Sequence, residues 1–176
     1  MPLSVRRRLP FLRGLVLDVD GVLTDGRIHY TPAENDLKSF HVRDGHGIVT
    51  LLREGFLVGV ISGRTGEATK KRLTELGIVD IFLGVRDKNE VFRNLLAHWK
   101  IEASEVAVVG DDITDLGMMA MGGLSITVAD GHRALLNTAH WVTNTSGGFG
   151  AVREVTDAIL FTRKRGRPYN QEDGLC

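Results

Sequence analysis

Short apolar runs rich in β-branched residues recur along the chain at 15–19 (LVLDV), 57–62 (LVGVIS), 78–84 (IVDIFLG), 105–111 (EVAVVGD) and 124–129 (LSITVA), with a weaker one at 140–144 (HWVTN). Between most of them lie stretches of helical character: HGIVTLLREG, GEATKKRLTELG, DKNEVFRNLLAHWK and ITDLGMMAMGG. In the second of these, Ala68, Leu73 and Leu76 form a rough stripe, and Gly77 suits the residue after a helix end. Strand alternating with helix predicts parallel βαβ units. The fold class is therefore α/β, a Rossmann-like parallel sheet with helices on both faces. The segment 26–42, GRIHYTPAENDLKSFHV, breaks the alternation. Its turn-rich TPAEND between two short extended pieces predicts a β-hairpin inserted after the first strand.

The remaining bulk properties narrow the class only a little. The 176 residues suffice for one domain, expected over 1–162, with a polar and aperiodic tail at 163–176 expected to be mobile. Lys plus Arg and Asp plus Glu are equal at 22 each, so global charge argues for neither nucleic acid nor membrane as partner. RKRGR at 163–167 reads as a solvated stretch, with attraction of an anionic substrate or nucleic acid as the alternative. Cys176 is the single cysteine, which excludes an intrachain disulfide and suits a reducing, cytoplasmic setting. The basic-then-apolar start resembles a signal peptide faintly, but Arg13, Asp18 and Asp20 interrupt the apolar run. No run reaches transmembrane length.

In open parallel sheets, ligands bind outside the carboxyl ends of the strands. Four strand ends carry polar groups here: Asp18 and Asp20 after the first run, Ser62 after the second, Lys88 after the third, and Asp111 and Asp112 after the fourth. Carboxylates crowded together raise one another's pKa values, and a hard divalent cation resolves that conflict. Oxygen donors without His or Cys favour magnesium. A metal, a lysine and a hydroxyl around a carboxylate suit phosphoryl transfer, with the carboxylate as nucleophile. The expected catalytic residues are Asp18 as nucleophile, Asp20 as acid and base, Ser62 as donor to phosphate and Lys88 as its neutralising charge. Asp18, Asp20 (through its carbonyl) and Asp111 are the expected metal ligands, with Asp112 and Asp115 ligating or orienting the shell.

Each piece has a plainer reading when taken alone. DVDG is also a turn, ISGR is also a turn, Lys88 is also a surface lysine, and GDD is also a helix cap. Their order at successive strand ends favours the joint reading. A phospho-receiver domain uses similar groups, but its acidic pair sits at the first strand and its phosphoacceptor at a middle one, the reverse of the order here. A silent oligomerisation module has no need of Asp18, Asp20, Ser62, Lys88 and Asp111 together. The six histidines show no metal spacing, and Met118, Met119 and Met121 are expected to fill core gaps.

DVDGVLTDG (18–26), ISGR (61–64), the lysine of RDK (86–88) and GDDITD (110–115) resemble the motifs of the haloacid dehalogenase-like phosphohydrolases, in order and spacing. SFHVRDGHGI (39–48) and GGFGAVREVTDAIL (147–160) narrow the resemblance to the 3-deoxy-D-manno-octulosonate 8-phosphate phosphatase family. That resemblance implies hydrolysis of an eight-carbon sugar-acid phosphate in lipopolysaccharide precursor synthesis, and a homotetramer. Sister enzymes act on nine-carbon, sialic-acid-type sugar phosphates, which is the alternative substrate class.

The 41 residues between Asp20 and Ser62 and the 22 between Lys88 and Asp111 hold no cap domain. A site without a cap takes a wall from elsewhere. The hairpin is expected to pack against its copies in an oligomer and to cover a neighbouring subunit's site. Arg64, beside Ser62, is the expected contact for a carboxylate or hydroxyl of the substrate. Arg43 is assigned the same contact or a salt bridge to Asp44, Thr24 a contact to phosphate or substrate, and Arg153 a structural role.

Overall fold

The computed structural model describes residues 1–30 and 36–164. In chain order the elements are α1 (Leu3–Arg8), β1 (Gly14–Leu17), β2 (His29–Tyr30), β3 (Asp36–Leu37), α2 (Val42–Arg53), β4 (Leu57–Ile61), α3 (Glu67–Glu75) and β5 (Asp80–Phe82). They continue with α4 (Lys88–Trp99), β6 (Val106–Gly110), α5 (Leu116–Met121), β7 (Leu124–Thr127), α6 (Arg133–Thr138), β8 (Trp141–Val142) and α7 (Ala151–Lys164). All six apolar runs are strands of one sheet, ordered β5-β4-β1-β6-β7-β8, with every pairing parallel. This is the 3-2-1-4-5-6 order of doubly wound folds, whose chain reverses direction across the sheet beside its first strand. The hairpin is present as the two-residue pair β2-β3, and its turn lies outside the described residues. Among the described residues, no cap domain interrupts the sheet.

The central strands are buried on both faces, which is why they read as continuous apolar runs. Leu15 and Leu17 of β1 point into one core with Ile48, Leu51, Val155 and Ile159. Val16 points into the other, with Ile61, Phe92, Leu95 and Met118. Met118 and Met119 are core residues, as expected, and Met121 packs at the edge.

Three helices extend beyond the elements that the run pattern predicts. Val5 of α1 joins the first core together with Leu9 and Leu12, so the basic-apolar start of the chain is part of the domain. α6 is a short turn beside the sheet. α7 is long, and Ala151, Val152, Val155, Thr156, Ile159 and Leu160 form its buried stripe. It runs to Lys164, so the first two residues of the expected tail are helical, and the rest of that tail lies outside the described residues.

The α2–α7 contact explains the unusual helix sequence VRDGHG. A Cβ on Gly47 would collide with Thr156 of α7, so glycine permits the close approach. Asp44, buried at the start of α2, accepts the Arg153 backbone N–H at 2.6 Å and caps the N-terminus of α7. Burial raises the Asp44 pKa. Arg43 is exposed and makes no ion pair with the buried Asp44, so this one of its two expected roles is not seen among the described residues. Arg153 is structural, as expected, pairing with Asp157 at 2.7 Å. The loop ahead of α7 also reaches the loop after β1, where the Gly148 N–H donates to the Val22 carbonyl at 3.0 Å.

Candidate active site

Asp18 follows β1 directly, and its N–H continues the sheet ladder to the Val109 carbonyl at 3.0 Å. That bond fixes the residue at the mouth between β1 and β6, where the strand order reverses. Asp111 follows β6 in the same way. Gly21 lies between them at φ +85°, and a Cβ there would overlap the Asp111 carboxylate. Only glycine satisfies both the left-handed backbone and the contact.

Lys88 is the first residue of α4, whose N-cap Asp87 accepts from the N–H groups of Asn89 (2.9 Å) and Glu90 (3.1 Å). Its Nζ lies 2.9 Å from Asp18 Oδ1 and 2.7 Å from Asp115 Oδ1. Asp115 is fully buried, and its Oδ2 accepts the N–H groups of Asp111 (3.1 Å) and Asp112 (3.3 Å). It thus locks the lysine and the loop after β6 together. Asp112 is exposed and accepts the Ile113 N–H at 2.7 Å, capping the turn that follows. Of the two expected shell residues, Asp115 joins the acidic cluster, while Asp112 caps the turn and lines the same cleft.

Carboxylate oxygens of Asp18, Asp111 and Asp115 lie within 4.8 Å of one another. Burial, then the Asp115 charge, pushes the Asp18 pKa up to about 6 against the pull of Lys88. Burial, then the charges of Asp18, Asp115 and Asp112, pushes Asp111 up to about 7. Burial works to lower the Lys88 pKa, but Asp18 and Asp115 outweigh it and the net shift is upward. One ammonium therefore compensates this cluster incompletely. The donors are all oxygen, and three carboxylates share the one Lys88 ammonium, so the cluster fits a hard divalent cation.

These groups open on a cleft of 730 Å³ that is also lined by Asp20, Ser62, Arg64, Arg86, Asn89 and Thr114. Ser62 is buried, and its Oγ accepts the Arg64 N–H at 3.4 Å, which leaves the hydroxyl hydrogen to be donated. Asp20 Oδ1 accepts from Lys38 Nζ at 2.6 Å, and Asp20 Oδ2 lies 3.9 Å from Arg64 Nε. The structure thus brings Asp18, Asp20, Ser62, Arg64, Lys88, Asp111, Asp112 and Asp115 to one place.

It does not bring Thr24 or Arg43 there. Thr24 is buried, donating to the Val19 carbonyl (3.4 Å) and accepting from the N–H groups of Gly21 (3.4 Å) and Gly26 (3.3 Å). Its hydroxyl staples the loop instead of touching substrate. Arg43 is exposed in the first turn of α2 and does not line the cleft. Lys38, Arg86 and Asn89 are the site residues that motif reading passes over. Arg86 and Asn89 flank the predicted lysine, so proximity was a usable signal for them.

Residues 73–155 match the family model described as haloacid dehalogenase-like hydrolase. The 3-deoxy-D-manno-octulosonate 8-phosphate phosphatase of Yersinia pestis is 42% identical over 162 residues, 92% of this chain and 87% of the relative. The crystal structure of the Yersinia pestis phosphatase superposes with a TM-score of 0.92 at 41% identity, covering 94% of this chain and 89% of that one. The Moraxella catarrhalis phosphatase, solved in complex with magnesium ion, phosphate ion and a KDO molecule, has a TM-score of 0.87 at 34% identity, covering 90% and 91%. Sheet order, acidic strand ends and buried lysine together define a haloacid dehalogenase-like hydrolase. Within that class, the chain belongs to the 3-deoxy-D-manno-octulosonate 8-phosphate phosphatase family.

Proposed function

We propose that this protein hydrolyses 3-deoxy-D-manno-octulosonate 8-phosphate to the free sugar acid and inorganic phosphate, a step in lipopolysaccharide precursor synthesis. The reading is carried by the buried Asp18–Lys88–Asp115 constellation at the switch point of the sheet, and identity to the Yersinia pestis phosphatase over most of the chain supports it. Asp18 attacks phosphorus while the P–O bond to the sugar breaks, and Asp20 protonates the departing alkoxide. Asp20 then takes a proton from water, whose oxygen attacks the aspartyl-phosphate and frees Asp18. Ser62 donates to a phosphate oxygen and Lys88 offsets the charge of the same group. Arg64 meets the sugar-acid carboxylate at the rim of the cleft. Asp18, Asp111 and the Asp20 carbonyl hold magnesium, supported by Asp115, and the bound ion supplies charge neutralisation to the phosphoryl group.

We further infer a homotetramer whose hairpins cover neighbouring sites. Tyr30 and Leu37, 74% and 58% exposed on the hairpin, support this reading as apolar surface awaiting a partner. The inferred setting is the cytoplasm, consistent with a single cysteine. Among the described residues, no helix is long and apolar enough to cross a membrane.

The substrate is tested by kcat/KM over a panel of eight-carbon and nine-carbon sugar-acid phosphates. The eight-carbon ester is expected to lead, and preference for a nine-carbon ester would move the protein to the sister activity.

Metal dependence is tested through stability. Carboxylic acids whose pKa is raised by folding bind more protons in the native state than in the unfolded one, so they favour folding at low pH. For Asp18 (about 6) and Asp111 (about 7), that contribution is complete below the ordinary value of 3.8 and is lost as pH rises through 6 to 7. The melting temperature of metal-free protein is therefore expected to fall between pH 5 and pH 8 on account of this cluster. Magnesium at about 100 times its Kd is expected to restore about 2.7 kcal/mol at pH 8, several degrees of melting temperature. At pH 5, where protons compete for the ligands, its effect is expected to be far smaller. Calorimetry at both pH values checks this, and an equal magnesium effect at both would remove the cluster from the metal site.

A further inference from the structure

The buried cation on the hairpin is not explained by the aspartate, serine and lysine motifs. Lys38 immediately follows β3, at the return of the hairpin towards α2. Its side chain is only 2% exposed, although it belongs to an insertion lying outside the sheet. A lysine ammonium is buried at a high cost unless it is paired. Its Nζ donates to Asp20 Oδ1 at 2.6 Å. Asp20 Oδ2 is buried and makes no hydrogen bond among the described residues, and Arg64 Nε stands 3.9 Å from it. The carboxylate is thus gripped by one oxygen, while the other is left without a hydrogen bond.

We propose that Lys38 is a positioning residue for acid–base chemistry, and that the hairpin contributes to catalysis within its own subunit by holding Asp20 Oδ1, which fixes the orientation of the carboxylate and leaves Oδ2 as the oxygen that exchanges the proton. The inference rests on the phosphatase reading above and deepens it. An aspartate side chain has a soft terminal torsion, so an unheld carboxylate exchanges its oxygens and tilts freely. General acid catalysis requires the proton within hydrogen-bond reach of the leaving oxygen. With Oδ1 anchored, the proton on Oδ2 passes to the alkoxide as the P–O bond to the sugar breaks and the bond from Asp18 to phosphorus forms. Oδ2, now without its proton, accepts one from the water that attacks the aspartyl-phosphate. That attack releases inorganic phosphate and returns both aspartates to their starting states.

A positioning role and a purely structural one differ in their dependence on the leaving group. A sugar alkoxide needs a proton to depart, whereas 4-nitrophenolate leaves without one. Lys38→Met in the full-length protein with saturating magnesium is expected to slow aspartyl-phosphate formation, read as leaving-group release in a single turnover, about 100-fold on the sugar-acid phosphate but by no more than about threefold on 4-nitrophenyl phosphate, with the half-saturating ester concentration little changed. Lys38→Arg, which keeps a cation, is expected to recover part of the loss. In an Asp20→Asn background, Lys38→Met is expected to cost no more than about a further twofold, since the group it positions is gone. Equal losses on both esters, or full additivity with Asp20→Asn, would reduce Lys38 to a support for the hairpin and overturn the proposal. Wild-type protein that turns over neither ester defeats the phosphatase reading and this inference with it. Wild-type turnover with an indifferent Lys38→Met defeats this inference alone.

Discussion

Asp18→Asn is expected to abolish phosphate release while leaving the fold intact. The carboxamide matches the carboxylate in shape, so the ladder bond from its N–H to Val109 survives. It has no nucleophilic oxygen of comparable strength, and removal of a nucleophile that acts in concert with its neighbours costs on the order of 10⁵ to 10⁶ in kcat. Stability without metal is expected to be unchanged or higher. The wild-type carboxylate is buried with its pKa pushed up to about 6, so its ionised form opposes folding at neutral pH. Lys88 retains Asp115 at 2.7 Å in the variant. A phosphate-release assay on the sugar-acid ester, paired with a thermal melt, reads both effects. Turnover within about tenfold of wild type would assign the bond-forming step to another group.

Lys88→Met is expected to be the most destabilising single change in the site. It removes the cation between Asp18 and Asp115 and fills the space with an apolar chain of similar length. Taking one partner from a buried pair costs about 3–5 kcal/mol, because the remaining charge is left uncompensated. For a chain of this size that is a fall of about 10 °C in melting temperature. The sign of its pH dependence follows from the carboxylates. Without the ammonium they bind protons in the native state to still higher pH, so stability declines more steeply as pH rises from 5 to 8. The penalty is expected to be smaller at pH 5, where protons do part of the work of the lysine. Activity is expected to fall about 10² to 10³-fold as well, from loss of the charge facing the phosphoryl group. A melting temperature that drops equally at pH 5 and pH 8 would separate Lys88 from the titration of this cluster.

Most of the sheet was readable from the order of residues. Every apolar run became a strand, and the hairpin stood where the alternation broke. α7 was equally periodic, with Ala151, Val152, Val155 and Ile159 on one face, but it follows the last weak strand and contributes no strand end, so the search for chemistry passed over it. Thr24 was misplaced for the opposite reason. Closeness to Asp20 in sequence suggested the cleft, whereas a turn folds the hydroxyl back beneath its own loop.

By itself the sequence determined where the strands end and that carboxylates, a hydroxyl and a lysine sit at those ends. That follows from local rules: burial dictates apolar runs, and polar groups collect where the runs stop. Only the tertiary structure decided which charges meet. Lys88 joins Asp115 across 27 positions, Lys38 joins Asp20 across 18, and Asp115 enters the cluster while Asp112 caps a turn. Such pairings depend on distance through space and on how far each group is removed from water, and spacing along the chain encodes neither.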